Sequence, residues 1–410
     1  LLLSSAAAGL GVATGFGIAS LHGEPLKRSS PTVAGERIAF YGPHQAGIDT
    51  PPPNHLHFAA FDLTSDNLTD LRDLLSAWSE AATLLTAGEP LPPQNANTET
   101  GPPDTGETIG SGPSALTLTI GLGPSLFDTR RHLGIAHLMP AALTPLPALP
   151  GENLDHSRSG GDLAIQACST DAQVAFHAIH DLTRIAAPVA ALRWTQTGFN
   201  RTSTSSQTQP TPRNLIGFKD GTNNIPTNDQ ATMRRYVWVN PGDGPEWMSE
   251  GTYMVTRRIQ ILLDVWDANP TTDQERTIGR HKLSGAPLGA QHEHDPPDLT
   301  AETNGQPLIP ADAHIRLAAP QNNNGQRILR RGYSYTDPLE PTSGQLNAGL
   351  FFICFQRNPH KQFLTIQRRL AENDALNKNI IHTTNALFAI PPGAHHKGYI
   401  GETLFHTKDG

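Results

Sequence analysis

GDLAIQAC (residues 161–168) is the stretch on which the fold turns, because the chain after it carries Val174, Ala178, Leu182 and Ile185 at helical spacing. It reads as a strand feeding an amphipathic helix. GLFFICFQ (349–356), followed by Phe363, Ile366 and Leu370, repeats that unit near the C-terminus at nearly equal length. A weaker pair sets FAAFDL (58–63) and its helix against RRIQILLDVW (257–266). Two halves, each with two strand–helix units plus extra strands, predict a duplicated α+β domain with antiparallel sheets.

Working outward, residues 1–23 carry no Asp, Glu, Lys or Arg and are dominated by Leu, Ala, Gly and Ser. They read as the apolar part of an export signal, with an uncleaved membrane anchor as the alternative. Residues 24–54 form a Pro/Gly-rich lead-in, 55–200 the first half, 201–213 a polar linker and 214–410 the second half. HLHFAAFDL (55–63) predicts a strand. Ser65 or Asp66 can cap the next helix, which places Leu68, Leu71, Leu75 and Trp78 on one face. Residues 88–114 read as a surface loop, and ALTLTIGLG (115–123) as a strand.

The 410 residues suffice for two or three full-sized cores. A net charge of −8 argues against a nucleic-acid surface. The two cysteines, Cys168 and Cys354, fall in the echoed strands and read as buried small side chains. They are too few for a cysteine-ligated zinc site or an iron–sulfur cluster. The eighteen histidines leave imidazole as the only plentiful metal ligand.

Two segments bear chemistry: DAHIRLAAPQNNNGQRILRRGYSY (312–335) and NLIGFKDGTNN (214–224). Sandwiched around a haem, they would supply one imidazole below and an acid with a guanidinium above. Ile315 and Leu317 alternate with His314 and Arg316, so an extended backbone would project both polar side chains to one side. His314 would then bind iron while Arg316 meets a propionate. An acid of the final helix region, Asp374 ahead of Glu372, would accept the other imidazole N–H. On their own, Asp220 is an ordinary Asp-Gly turn residue, and Arg330 and Arg331 are ordinary surface charges. Peroxide cleavage needs both functions together. A carboxylate moves the proton as base and then acid, and a fixed guanidinium stabilises the departing hydroxide.

These motifs resemble the dye-decolorising peroxidase family, in its exported A-type branch, which includes proteins described as deferrochelatase/peroxidases. Its GxxDG hallmark stands here as Gly217, Phe218, Lys219, Asp220 and Gly221. YGPHQAGIDTPPP, GPSLFD (123–128), GGDLAIQACSTD (160–171), LRWTQTGFNRTS (192–203), DAHIRLAAP, RRGYSY and the PPG at 391–393 extend the similarity over most of the chain. The resemblance implies two ferredoxin-like domains forming a duplicated α+β barrel, with one haem b per chain. It makes His314 the axial ligand, Asp220 the distal acid–base residue and Arg330, first of its pair, the distal guanidinium. Gly221, Thr222 and Asn223 after the acid, and Ala319 and Pro320 after the ligand, match haem-contacting positions.

The implied function is oxidation of dyes, phenolics or other one-electron donors by hydrogen peroxide. Bulky donors would pass electrons inward from the surface through Trp or Tyr; Trp194, Trp266, Tyr253, Tyr333 and Tyr335 are candidates, although each reads first as plain packing. A carboxylate proton shuttle implies an acidic optimum for dye oxidation. The rival reading is a haem-handling protein that releases iron, with components of an iron-uptake system as partners. A homo-oligomer is compatible with either. The branch also implies twin-arginine export to the periplasm or beyond, although residues 1–23 contain no twin arginine.

Overall fold

The computed structural model describes residues 35–92, 101–200, 211–340 and 344–406. The expected export segment, the start of the lead-in and residues 201–210 of the expected linker lie outside the described residues. The first half runs β1 (His55–Leu63), α1 (Leu68–Leu85), β2 (Thr117–Leu122), β3 (Leu163–Ser169), α2 (Ala172–Ala186) and β4 (Ala190–Phe199). Its strands stand in the order β2-β3-β1-β4, every pair antiparallel. This is the ferredoxin-like arrangement.

After α3 (Gln230–Tyr236) come β5 (Thr252–Ile261), α4 (Leu263–Asp267), α5 (Thr271–Ile278) and a short hairpin of β6 (Glu302–Thr303) with β7 (Gln306–Pro307). Then follow α6 (His314–Ala318), β8 (Leu329–Arg330), β9 (Tyr333–Asp337) and β10 (Asn347–Gln356). The chain closes with α7 (Phe363–Asn373), β11 (Ile380–His382), β12 (Ala386–Ile390) and α8 (Glu402–Phe405). The four long strands repeat the first half's order as β9-β10-β5-β12. β4 meets β9 through Phe199 and Ser334, and β2 meets β12 through Leu122 and Ala389. Eight antiparallel strands thus close into a barrel, each seam joining the second strand of one half to the fourth of the other.

Both seams carry a glycine. A Cβ on Gly121 would stand 2.8 Å from Ile390 Cδ1 and 2.9 Å from Phe388 Cβ, and one on Gly198 2.7 Å from Tyr333 Cβ. Only a residue without a side chain lets the halves approach that closely. The lead-in straps the β2–β12 seam: the buried Gln45 side chain donates to Ile120 O and Pro391 O, both at 3.0 Å, and accepts from Ile120 N at 2.8 Å.

Strand alternation divides the side chains between two faces. Phe58, Trp194, Phe351, Phe355 and Phe388 fill the barrel, whereas Leu71, Leu75 and Trp78 of α1 cover the outer face of the first half with Ile120, Ile165 and Leu182. The helix cap differs from expectation. Asn67 caps α1, its side chain accepting from Thr69 N, while Ser65 accepts from Asn67 N and donates to Asp70. In the second half β5 is followed by two short helices instead of one long one. The outer face of β5 and β10 there lines a cavity.

Gly198→Ala and Gly121→Ala are each expected to destabilise the fold by about 1–3 kcal/mol through overpacking at a seam. Gly198→Ala should be the more severe, since its backbone-fixed neighbour, Tyr333 Cβ, stands at 2.7 Å, whereas Ile390 Cδ1 beside Gly121 can rotate away and the backbone-fixed Phe388 Cβ stands at 2.9 Å. Denaturant midpoints of the two variants check this, and equal stability with wild type would contradict it.

Candidate active site

The cavity holds about 850 Å³ and, among the described residues, is lined by those of the second half. Ile259, Ile261, Leu350 and Phe352 form its sheet wall, and Ile366, Gln367 and Leu370 of α7 face it. His314, Asp220 and Arg330 all open onto it. A site of this size lies in the range, roughly 300–1,000 Å³, used for cofactors and other small ligands.

His314 is the first residue of α6, a five-residue helix begun when Arg316 N and Leu317 N both bond Ala313 O. Its Nδ1 donates to Asp374 Oδ2 at 2.6 Å. The other Asp374 oxygen accepts from Leu376 N at 2.9 Å, capping the short helix that follows α7. The carboxylate is 2% exposed and the imidazole 37%, so the ring is held from behind while Nε2 stays available. Burial pulls the imidazole pKa down, but the charge and hydrogen bond of Asp374 outweigh it and leave the group raised.

The extended reading of 314–317 is corrected: the segment is helical. Residues two apart on a strand share a side, whereas on a helix they point nearly opposite ways. Arg316 therefore turns from the cavity, and its guanidinium donates twice to Ile309 O, at 2.9 and 2.7 Å. Of the two acids weighed, Asp374 meets His314 and Glu372 is exposed on α7.

Asp220 rides on a loop locked from several directions. Its amide donates to Pro212 O at 2.9 Å, and Asn214 N donates to Phe218 O at 2.9 Å. Gly217, with φ +84°, makes the left-handed turn of the loop, where a Cβ would also meet Lys282 at 2.7 Å. Asp220 Oδ1 accepts from Arg330 Nη1 at 2.7 Å, both side chains about one-third exposed. Asn224 fastens this loop to β8: its amide nitrogen donates to Arg330 O at 2.8 Å, and its oxygen accepts from Arg330 N at 2.9 Å. Arg331 points elsewhere, donating to Thr50 O and Pro51 O while almost fully buried.

Gly221, Thr222, Asn223, Ala319 and Pro320 also line the cavity. Glu293 and Asn224 were not singled out in the sequence. Glu293 accepts from Lys219 and, at 3.0 Å, from Thr222 Oγ1. Burial works to raise its pKa, but hydrogen bonds from Lys219, Thr211 and Thr222 hold it down at about 2. HEHDPPD (292–298) has no periodicity or motif that would have marked it. Trp194, Trp266, Tyr253, Tyr333 and Tyr335 are all buried in the core, in keeping with the packing reading. Tyr236, half-buried, lines the cavity instead.

Two family models match the chain: Dyp-type peroxidase, N-terminal, over residues 45–200, and Dyp-type peroxidase, C-terminal, over residues 211–395. The deferrochelatase of Shigella sonnei is 37% identical over 384 residues, covering 92% of this chain and 89% of the relative. That of Escherichia coli K12 is 36% identical over the same span. A DyP-type peroxidase from Streptomyces coelicolor superposes with a TM-score of 0.84 at 38% identity, covering 92% of this chain and 99% of its own. Ferric DtpA from Streptomyces lividans gives 0.82 at 38%, with the same coverage.

Glu293 yields a pH prediction. A carboxyl whose folded pKa lies below its unfolded value, near ~4.3, contributes stability fully above that value and loses it as pH falls toward about 2. Glu293→Gln should therefore lose less stability than wild type between about pH 4 and 2. Urea midpoints across that range measure the difference, and parallel curves would contradict it.

Proposed function

The chain belongs to the Dyp-type peroxidase family and is a haem peroxidase, and from that premise we propose that His314 holds the iron while Asp220 and Arg330 serve the peroxide. One observation carries the assignment: a single cavity receives an imidazole with one nitrogen engaged from behind and an ion-paired carboxylate and guanidinium. The residues fit the group. Aliphatic and aromatic side chains of β5, β10 and α7 suit the faces of a macrocycle, and Arg327 and Arg330 offer cations to its propionates. Arg316 is dropped from this set because its guanidinium is committed to Ile309 O.

When bound, the haem would supply the redox chemistry by which peroxide is reduced. Asp220 would take the proton from one peroxide oxygen and return it to the departing one. Arg330 orients that carboxylate and stabilises the negative charge growing on the leaving hydroxide. Asp374 strengthens His314 as a donor by accepting its Nδ1 proton in a hydrogen bond. Gly221, Thr222, Asn223, Ala319 and Pro320 complete the walls. Electrons come from small or bulky donors; with the five core aromatics buried, Tyr236 is the better-placed relay to the cavity.

His314→Ala should either lose haem during purification or shift the Soret band, and a wild-type absorption spectrum with full haem would contradict the ligand assignment. Asp220→Asn should slow the first reaction with peroxide by about 10²–10⁴-fold. Arg330→Leu should slow it by about 10²–10³-fold. Stopped-flow absorbance measures both, and wild-type rates in both variants would overturn the distal assignments.

The deferrochelatase name of relatives 36–37% identical favours a second reading, release of iron from haem in iron acquisition. Protoporphyrin fluorescence after incubation with haem and a reductant would support it; a porphyrin that keeps its iron would not. Export through the twin-arginine route is part of the proposal, resting on residues 1–23 and the family. Cell fractionation with and without that segment tests it, and a chain found outside the cytoplasm in both cases would remove the segment's role.

A further inference from the structure

The first half carries a cluster that the peroxidase chemistry does not use. His177 and Asp181 stand four residues apart on α2, so their side chains share one face of the helix. The loop at 101–107 crosses that face and brings Asp104 and Glu107 to it. Arg184 holds the loop in place by donating to Pro102 O at 2.6 Å, and Thr105 N donates to Asp181 Oδ1 at 3.1 Å. Asp104, His177 and Asp181 each present a ligand atom, all within 4.8 Å of one another.

The two imidazole nitrogens have different tasks. Nδ1 bonds Glu107 Oε2 at 2.8 Å, which fixes the ring and leaves the Nε2 lone pair directed toward the two aspartates. Nε2 stands 3.7 Å from Asp104 Oδ2 and 3.5 Å from Asp181 Oδ2. These separations exceed the roughly 2.7–3.2 Å of a good N–H···O hydrogen bond. They are close to the edge, about 3.3–3.5 Å, between neighbouring ligands bound at about 2.0–2.1 Å around a tetrahedral ion. Asp181 is fully buried, and its Oδ2 has no hydrogen-bond partner. A buried carboxylate oxygen without a donor is costly unless something positive meets it. The nearby Arg184 Nη1 lies on the Oδ1 side, at 3.7 Å.

We propose that Asp104, His177 and Asp181 form a binding site for a divalent transition-metal ion of the zinc class, with Glu107 orienting the histidine from behind. One imidazole and two carboxylates suit such an ion, with solvent completing the shell on the Asp104 side, where the side chain is 10% exposed. The carboxylate–imidazole–metal order is the arrangement that sets the tautomer of metal-bound histidine. The site belongs to the first half, whereas every described residue lining the large cavity is numbered 214 or higher.

The test uses the haem-loaded full chain, freed of loose metal by a chelator and dialysed against zinc chloride. Elemental analysis should find one zinc per chain, and the zinc absorption edge should report one imidazole with oxygen ligands. Asp181→Asn and His177→Gln should lose the stoichiometric zinc, and Glu107→Gln should weaken it about 10–100-fold. Far-UV circular dichroism checks that each variant is folded. The edge spectrum of wild type needs no variant at all. Wild type without zinc, an edge lacking imidazole, or unaltered affinity in folded Asp181→Asn would each overturn the site.

Discussion

Asp374 accepts two hydrogen bonds, and the site depends on both. One comes from His314 Nδ1 and the other from Leu376 N, so the same buried carboxylate starts the short helix that follows α7 and aims the histidine. A hydrogen bond to a charged group is shorter and stronger than one between neutral groups. Without it, a ring at the first position of a five-residue helix would have little to choose its orientation. Asp312 O accepts from Ala375 N at 3.0 Å, which ties α6 to the same turn. The imidazole thus inherits the rigidity of α7 and, through it, of the second-half sheet.

The barrel supplies the second constraint. Closing eight strands fixes which face of β5 and β10 looks inward, and alternation then sends Leu350 and Phe352 outward while Phe351, Ile353 and Phe355 fill the interior. In the first half a long helix covers the outward face. In the second half the chain after β5 breaks into short helices, and the outward face becomes a cavity wall. A duplicated fold with one half's covering helix shortened is an economical route to a cofactor-sized space.

The duplication was legible because β3 and β10 carry near-continuous apolar runs followed by helices with a clean inner face. Those are long signals, and tertiary context did not override them. The closed ring was legible only through the family resemblance and not through any local pattern, since it rests on single paired positions at two seams and on glycines whose role is the absence of atoms. At 314–317 the sequence misled for a definite reason: four residues fit a period of 2 as well as a period of 3.6. Bonds to Ala313 O decided for the helix, and Arg316 went to the far side with it. Glu293 and Asn224 act through partners 71 and 106 residues away, Thr222 and Arg330, a separation that no local pattern encodes.

The two halves also share a device. In each, the connection leading from the first strand to the second lays ionisable residues against the half's second helix. In the second half it lays His314 against Asp374, just beyond α7; in the first it lays Asp104 and Glu107 against His177 and Asp181 of α2. The roles are inverted: the helix end gives the acid in one case, and the helix itself gives the histidine in the other. A carboxylate behind an imidazole leaves the opposite ring nitrogen as a lone-pair donor in both. In the second half that nitrogen faces a large apolar cavity suited to a macrocycle. In the first it faces two carboxylates between α2 and the loop, where a bare cation is the group that fits. The same hydrogen bond therefore prepares two different ligands, and what surrounds the free nitrogen chooses between them.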